Sequence, residues 1–163
     1  MRIYIRAILV VFLLTFTLTI GISMISESVL QYIGLEFAVL ALFLIILLGV
    51  IFDIIGVAAA AAVEAPFNAM AANKVFGASV ALRLVRNADK VSSFCNDVIG
   101  DICGTVSGAL VITVLFRFLQ DYPTYFVRES LLSVFATAFV AALTVAGKAL
   151  GKRFAIYRST NII

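Results

Sequence analysis

The sequence predicts an all-α membrane fold: a polytopic helix bundle with four transmembrane helices and short amphipathic cytoplasmic helices between the second and third. Three observations predict it. Of the 163 residues, 64 % are hydrophobic and only 13 % charged, where soluble domains average about 45–50 % and about 25 %. The apolar residues gather into four runs, each long enough for a span of ~20 residues. No segment alternates apolar and polar residues as a barrel strand does, and backbone exposed to lipid must otherwise satisfy itself as helix. The whole chain, 1–163, is expected to form one transmembrane domain, because no length remains for a separate soluble one.

The first span is expected over 7–24, "AILVVFLLTFTLTIGISM", preceded by Arg2 and Arg6. The run is long for the apolar core of a signal peptide and no polar mature domain follows, so it is expected to stay as a span. The second span covers 37–63 and is interrupted only by Asp53. Being longer than a bilayer needs, it must tilt, kink or emerge on one side. The third runs over 98–118, and the fourth over 130–149 after the turn "QDYPTY".

The charge of +3 is carried at the ends of apolar segments, which makes it a topology signal rather than a nucleic-acid surface. Arg2 and Arg6, then Lys74, Arg83, Arg86 and Lys90, then Lys148, Lys152, Arg153 and Arg158 all fall on one side. Only Arg117 and Arg128 fall on the other. Basic residues collect on the cytoplasmic side, so both termini are expected there, with Lys152 and Arg153 acting as anchors.

The connection over 66–91 is read as two short helices lying along the cytoplasmic interface. Pro66 suits a first helical turn, where its missing N–H is not needed. Phe67, Met70, Ala71, Lys74 and Val75 recur at helical spacing. After Gly77, the residues Val80, Leu84 and Ala88 share one face, with Arg83, Arg86, Asn87 and Lys90 mainly elsewhere. Their partner is either anionic headgroups or the underside of the bundle.

Chemistry is sparse. There is no His and no CxxC, which argues against zinc or haem. Cys95 and Cys103, eight residues apart on one helix, lie about 12 Å apart and cannot pair. No nucleophile and base stand together, so no enzyme is expected. The informative residues are acids in apolar surroundings, which are costly and face a partner, a polar cavity or an ion path. Asp53 lies roughly 15 Å before the cytoplasmic end of the second span, near mid-bilayer. Asp97 and Asp101 share a helical face near the cytoplasmic mouth, with Asn96 beside them. These four are the candidate metal ligands. Lys148 is the candidate counter-charge, unless it snorkels to the interface. Small residues allow close helix approach, so Gly56, Gly100, Gly104, Gly108, Gly147 and Gly151 are candidate packing positions.

Three stretches together resemble the transmembrane domain of the CNNM/CorB/CorC magnesium-transporter family. "IFDIIGVAAAA" stands where that family has a phenylalanine-rich helix with an "FFSGSETAL"-type motif. "GASVALRLVRNADKVSS" is similar to its "G…A…L…NPER..S" connection, with Gly77, Ala81, Leu82, Asn87, Asp89, Lys90 and Ser93 at matching or chemically similar positions. "GKALGK" stands where the family reads "GEIxPK", and "VIGDICG" resembles "IGNN" with a register offset. The likeness covers roughly residues 45 to 155, without the first span, and is that of small bacterial CorB-like proteins lacking CBS domains. It implies a homodimeric helical domain in the inner membrane with an ion-binding cavity open to the cytoplasm. The family's serines are replaced by Asp53, Ile54, Ile55 and Gly56, its glutamate by Lys148 and its proline by Gly151.

Two functions follow from these readings. One is divalent-cation transport, of Mg²⁺ or Co²⁺, along a path lined by Asp53, Asn96, Asp97 and Asp101. The other is a non-transporting structural or partner-binding membrane protein, in which Lys148 neutralises the aspartates.

Overall fold

The computed structural model describes the backbone of residues 2–121 and 129–163, and the side chains of 8–29, 32–121 and 131–163. The side chains of Arg2 and Arg6, the residue Arg128 and most of the "QDYPTY" turn lie outside the described residues. All regular structure is helical: α1 (Arg2–Tyr32), α2 (Leu35–Ala61), α3 (Glu64–Ala72), α4 (Ala78–Arg86), α5 (Ala88–Ser92), a π-helical segment (Ser93–Gly100), α6 (Asp101–Asp121), α7 (Glu129–Tyr157) and α8 (Ser159–Ile162). Four stretches are long and apolar enough to cross a membrane: Ile8–Val29, Leu35–Ala61, Ala88–Asp121 and Leu131–Tyr157. These four helices, found among the described residues, are compatible with a multi-pass membrane protein.

The spans outrun the expected ones. The second ends at Ala61, but the third begins its helix at Ala88 and the fourth continues to Tyr157. Helix formation depends on backbone hydrogen bonding, whereas the sequence boundaries were drawn where charges begin. Lys148, Lys152 and Arg153 interrupt the apolar run without interrupting the helix. Within the spans, hydroxyls bond back to carbonyls of the previous turn. Thr17 donates to Leu13 O at 2.8 Å, Thr137 to Ser133 O at 2.7 Å and Thr144 to Val140 O at 2.8 Å. Such bonds satisfy these three hydroxyls without water. Many large apolar side chains on α1 and α7 are exposed, among them Phe12, Phe16, Phe135 and Phe139, as suits helices whose solvent is lipid.

The chain divides into two compact units: Met1–Leu47 with Ile102–Thr144, and Leu48–Asp101 with Val145–Ile163. In the first, Ala38, Leu42, Ile46, Val106, Leu110 and Val111 are buried. There the Arg117 guanidinium donates to Ile33 O at 2.6 Å, capping the carbonyl end of α1, where a basic side chain is favoured.

The second unit carries the α3–α4 hairpin. Pro66 sits in the first turn of α3, as expected. Phe67 is 1 % exposed and packs with Ala81 and Val85 of α4, joined by Met70, Leu82 and Ile163. The buried face of α4 is therefore Ala78, Ala81 and Val85, one residue round from the Val80, Leu84 and Ala88 face read from the sequence. Two apolar stripes exist on this helix, and the one with small alanines admits α3 closely. Arg86 is tied back to α3, with Nε donating to Glu64 Oε2 at 3.1 Å and Nη2 to Asn68 Oδ1 at 3.2 Å.

Candidate functional site

All the candidate polar residues belong to the second unit, which contains the C-terminal half of α2, the π-helical segment and the end of α7. Asp53 lies eight residues before the end of α2, roughly 12 Å from it along the axis. It is 2 % exposed, and its Oδ2 is 3.8 Å from Lys152 Nζ on α7. Lys152 is itself half exposed. This corrects the expectation that Lys152 is only an anchor. The fourth helix continues past Ala149, so Lys152 stands within it, one turn after Lys148 and on the same face.

The π-helical segment carries the next two candidates. Its wider turn inserts an extra residue into the helical register, a feature that recurs at functional sites. Gly100 closes it: a Cβ there would lie 3.3 Å from the Cys95 carbonyl oxygen, five residues back. Side-chain ladders run along the segment. Asn96 Nδ2 donates to Ser92 Oγ at 3.1 Å, and Ser93 Oγ donates to Asp97 Oδ2 at 2.9 Å. Asn96 presses on α2 at Gly56, where an added Cβ would collide with the amide oxygen and lie 2.8 Å from its carbon. Gly56 is thus needed for this approach. Asp53 and Gly56 are three residues apart, hence on one face of α2.

Two oxygens, one on that face and one on the segment packed against Gly56, stand out. Asp53 Oδ2 and Asn96 Oδ1 are both buried and accept no hydrogen bond from any described residue. A buried acceptor without a donor costs about 1–3 kcal/mol, and native structures carry few of them.

Asp101 opens α6 with its side chain 71 % exposed, and its Oδ1 lies 3.9 Å from Lys148 Nζ. Lys148 is less exposed than its partner and also donates to Gly100 O at 3.2 Å. Asp97 is exposed. The three aspartates thus have different neighbours: a lysine for Asp53, a serine hydroxyl for Asp97 and a second lysine for Asp101. Among the described residues, no three His, Cys, Asp or Glu side chains gather as a metal-holding group. Neither Cys95 nor Cys103 is in a disulfide, and both are buried.

The glycines separate in the same way. A Cβ at Gly147 would lie 3.2 Å from Val50 Cγ2, and one at Gly151 would lie 2.7 Å from Ile54 Cγ1. These two let α7 approach α2 where the lysines project. A Cβ at Gly104 or Gly108 would meet nothing within 4 Å among the described residues, so the ridge read in the sequence has close neighbours only at Gly100.

Compared with known protein families, with curated proteins and with solved structures, the chain matches none. The resemblance to the magnesium-transporter family therefore rests on its motifs alone.

Proposed function

We propose that this chain is a cation-handling membrane protein, with Asp53 and Asn96 as the ion's protein ligands and Lys152 as a tethered counter-ion that the ion displaces. The observation that carries this reading is two buried oxygens without a donor among the described residues, Asp53 Oδ2 on α2 and Asn96 Oδ1, whose side chain packs on Gly56 one turn further along α2. An under-satisfied carboxylate in an apolar setting attracts positive charge, and in this reading one cation serves both oxygens. Magnesium suits such a sparse set, because it keeps several waters and binds through one or two carboxylates. Lys152, half exposed and at a long 3.8 Å, can swing into water as the ion takes its place beside Asp53. Asp97 and Asp101, both exposed, are placed in this reading along the approach from the cytoplasm. The distribution of Lys and Arg supports cytoplasmic termini. The family resemblance supports the bacterial inner membrane, a homodimer and transport of Mg²⁺ or Co²⁺.

A second reading is favoured by the Lys148 contacts. A lysine shared between Asp101 and the Gly100 carbonyl, with α7 packed on α2 through Gly147 and Gly151, describes a self-neutralised scaffold that binds partners and moves no ion.

Calorimetry in detergent with Mg²⁺ and Mn²⁺ separates the two. The first reading expects binding by the wild type, about tenfold tighter binding by Lys152→Met, equivalent to ~1.4 kcal/mol, and none by Asp53→Asn. No binding by either the wild type or Lys152→Met, with both folded, overturns it in favour of the scaffold.

A further inference from the structure

The tip of the α3–α4 hairpin is built in a way that its internal packing does not require. Helix α3 ends in a Schellman turn: Val75 N–H donates to Met70 O at 3.0 Å and Lys74 N–H to Ala71 O at 3.0 Å. The left-handed position of that motif belongs to glycine in most helices, but Lys74 occupies it with φ 55°. A side chain held in this conformation is strained, and such outliers persist where the side chain has work to do. Beside it, Phe76 is fully exposed, with Val75 at 50 % and Val80 at 59 %. Val80 and Leu84, four residues apart, share one side of α4, and Phe76 precedes the helix by two residues. That side lies apart from the Ala78, Ala81 and Val85 face that meets α3. Arg83 is exposed next to Leu84.

What covers this outward stripe is decided by reach and charge. Only Ala62 and Val63 separate α2 from α3. Helix α2 has 27 residues, about 40 Å, which exceeds a hydrocarbon core of ~30 Å and brings its end to the membrane surface. Helix α3 adds nine residues, roughly 13 Å, so the tip cannot leave the vicinity of the headgroups. Between residues 64 and 90 the chain has four basic and two acidic side chains, and Glu64 is already paired with Arg86. Apolar residues flanked by Lys74 and Arg83, which pair with no acid among the described residues, fit an anionic lipid surface. We infer that the hairpin inserts Val75, Phe76 and Val80 among the headgroups of an anionic bilayer, with Lys74 and Arg83 on the lipid phosphates. The inference needs only the membrane fold and is independent of any cation at Asp53.

The chain has no Trp, so Phe76→Trp introduces a single tryptophan, excited apart from the tyrosines, at an exposed site. In nanodiscs of full-length protein, its emission is expected to be blue-shifted. Lipids brominated near the headgroup should quench it about twofold, and lipids brominated at chain ends less, since an interfacial element sits ~5–10 Å deep. Quenching should be stronger with phosphatidylglycerol than with phosphatidylcholine alone. Adding Lys74→Gly should raise the thermal midpoint while weakening the phosphatidylglycerol preference. Emission typical of water, without bromolipid quenching, overturns the inference. A blue shift that bromolipids leave untouched and that fades on diluting the protein also overturns it, and assigns the stripe to a second copy. An undiminished lipid preference in the Lys74→Gly variant removes the lysine from the contact.

Discussion

The two lysine–aspartate pairs of the second unit are built as opposites. In Asp53–Lys152 the acid is buried and the lysine half exposed. In Asp101–Lys148 the acid is mostly exposed and the lysine largely covered. Distance hardly distinguishes them, at 3.8 and 3.9 Å. Desolvation does, because taking a charge out of water is costly and its partner repays the cost only when geometry and extra hydrogen bonds are good. Lys148 has such help from the Gly100 carbonyl. Asp53 Oδ2 has none from the described residues. One pair is therefore a settled structural contact and the other an unsatisfied anion beside a removable cation. That difference is why the ion reading is built on Asp53 rather than on Asp101.

The largest effect is expected from Lys152→Met without divalent ions. It leaves the buried Asp53 carboxylate without its countercharge, and a buried charge stripped of its partner costs on the order of 3 kcal/mol. Thermal denaturation in detergent measures it. If the site takes a cation, Mn²⁺ restores the loss by mass action, since a ligand at about 100 times its Kd adds ~2.7 kcal/mol. A loss that Mn²⁺ leaves unrepaired would erase the distinction between the two pairs.

An intermediate effect comes from the glycines that bring α7 to α2. Gly151 immediately precedes Lys152, and a Cβ there would lie 2.7 Å from Ile54 Cγ1. Gly151→Ala should lose about 1–3 kcal/mol through overpacking and move Lys152 away from Asp53. Gly104→Ala, with nothing within 4 Å among the described residues, should instead gain up to ~1 kcal/mol from helix propensity. Thermal midpoints of the two variants should therefore shift in opposite directions. Equal shifts would mean that close approach at Gly151 does not hold the pair together.

That contrast marks how far the sequence reaches. Four apolar runs and the basic side of each span are readable because the bilayer imposes length and charge rules on every segment. Asp53 and Asn96 are likewise readable as exceptions to an apolar setting. The partner of Asp53 is not, because a lysine near a helix end reads as an interface anchor until the helix is known to continue beyond it. Gly104 and Gly151 are also indistinguishable by pattern, since small-residue spacing permits approach without saying which element approaches. The face of α4 differs from the sequence expectation for a related reason: the stripe of larger residues looks like the core, but the alanine stripe allows the tighter helix contact.

The smallest effect, and the one that sharpens the contrast most, is Asp101→Asn. An exposed acid contributes about 0–1 kcal/mol to an ion pair, and salt screens it. Lys148 keeps its hydrogen bond to Gly100 O, so the ammonium is not stranded when the carboxylate is lost. Stability should fall by less than ~1 kcal/mol, and the difference from wild type should shrink further as salt is raised. Divalent binding should remain, slowed in its approach but little changed in affinity, because Asp101 is not among the ligands assigned to the ion. Calorimetry and stopped-flow measurement at two salt concentrations test both parts. A variant that lost binding outright would place the ion at Asp101, making the exposed pair the working one and Asp53–Lys152 the structural contact.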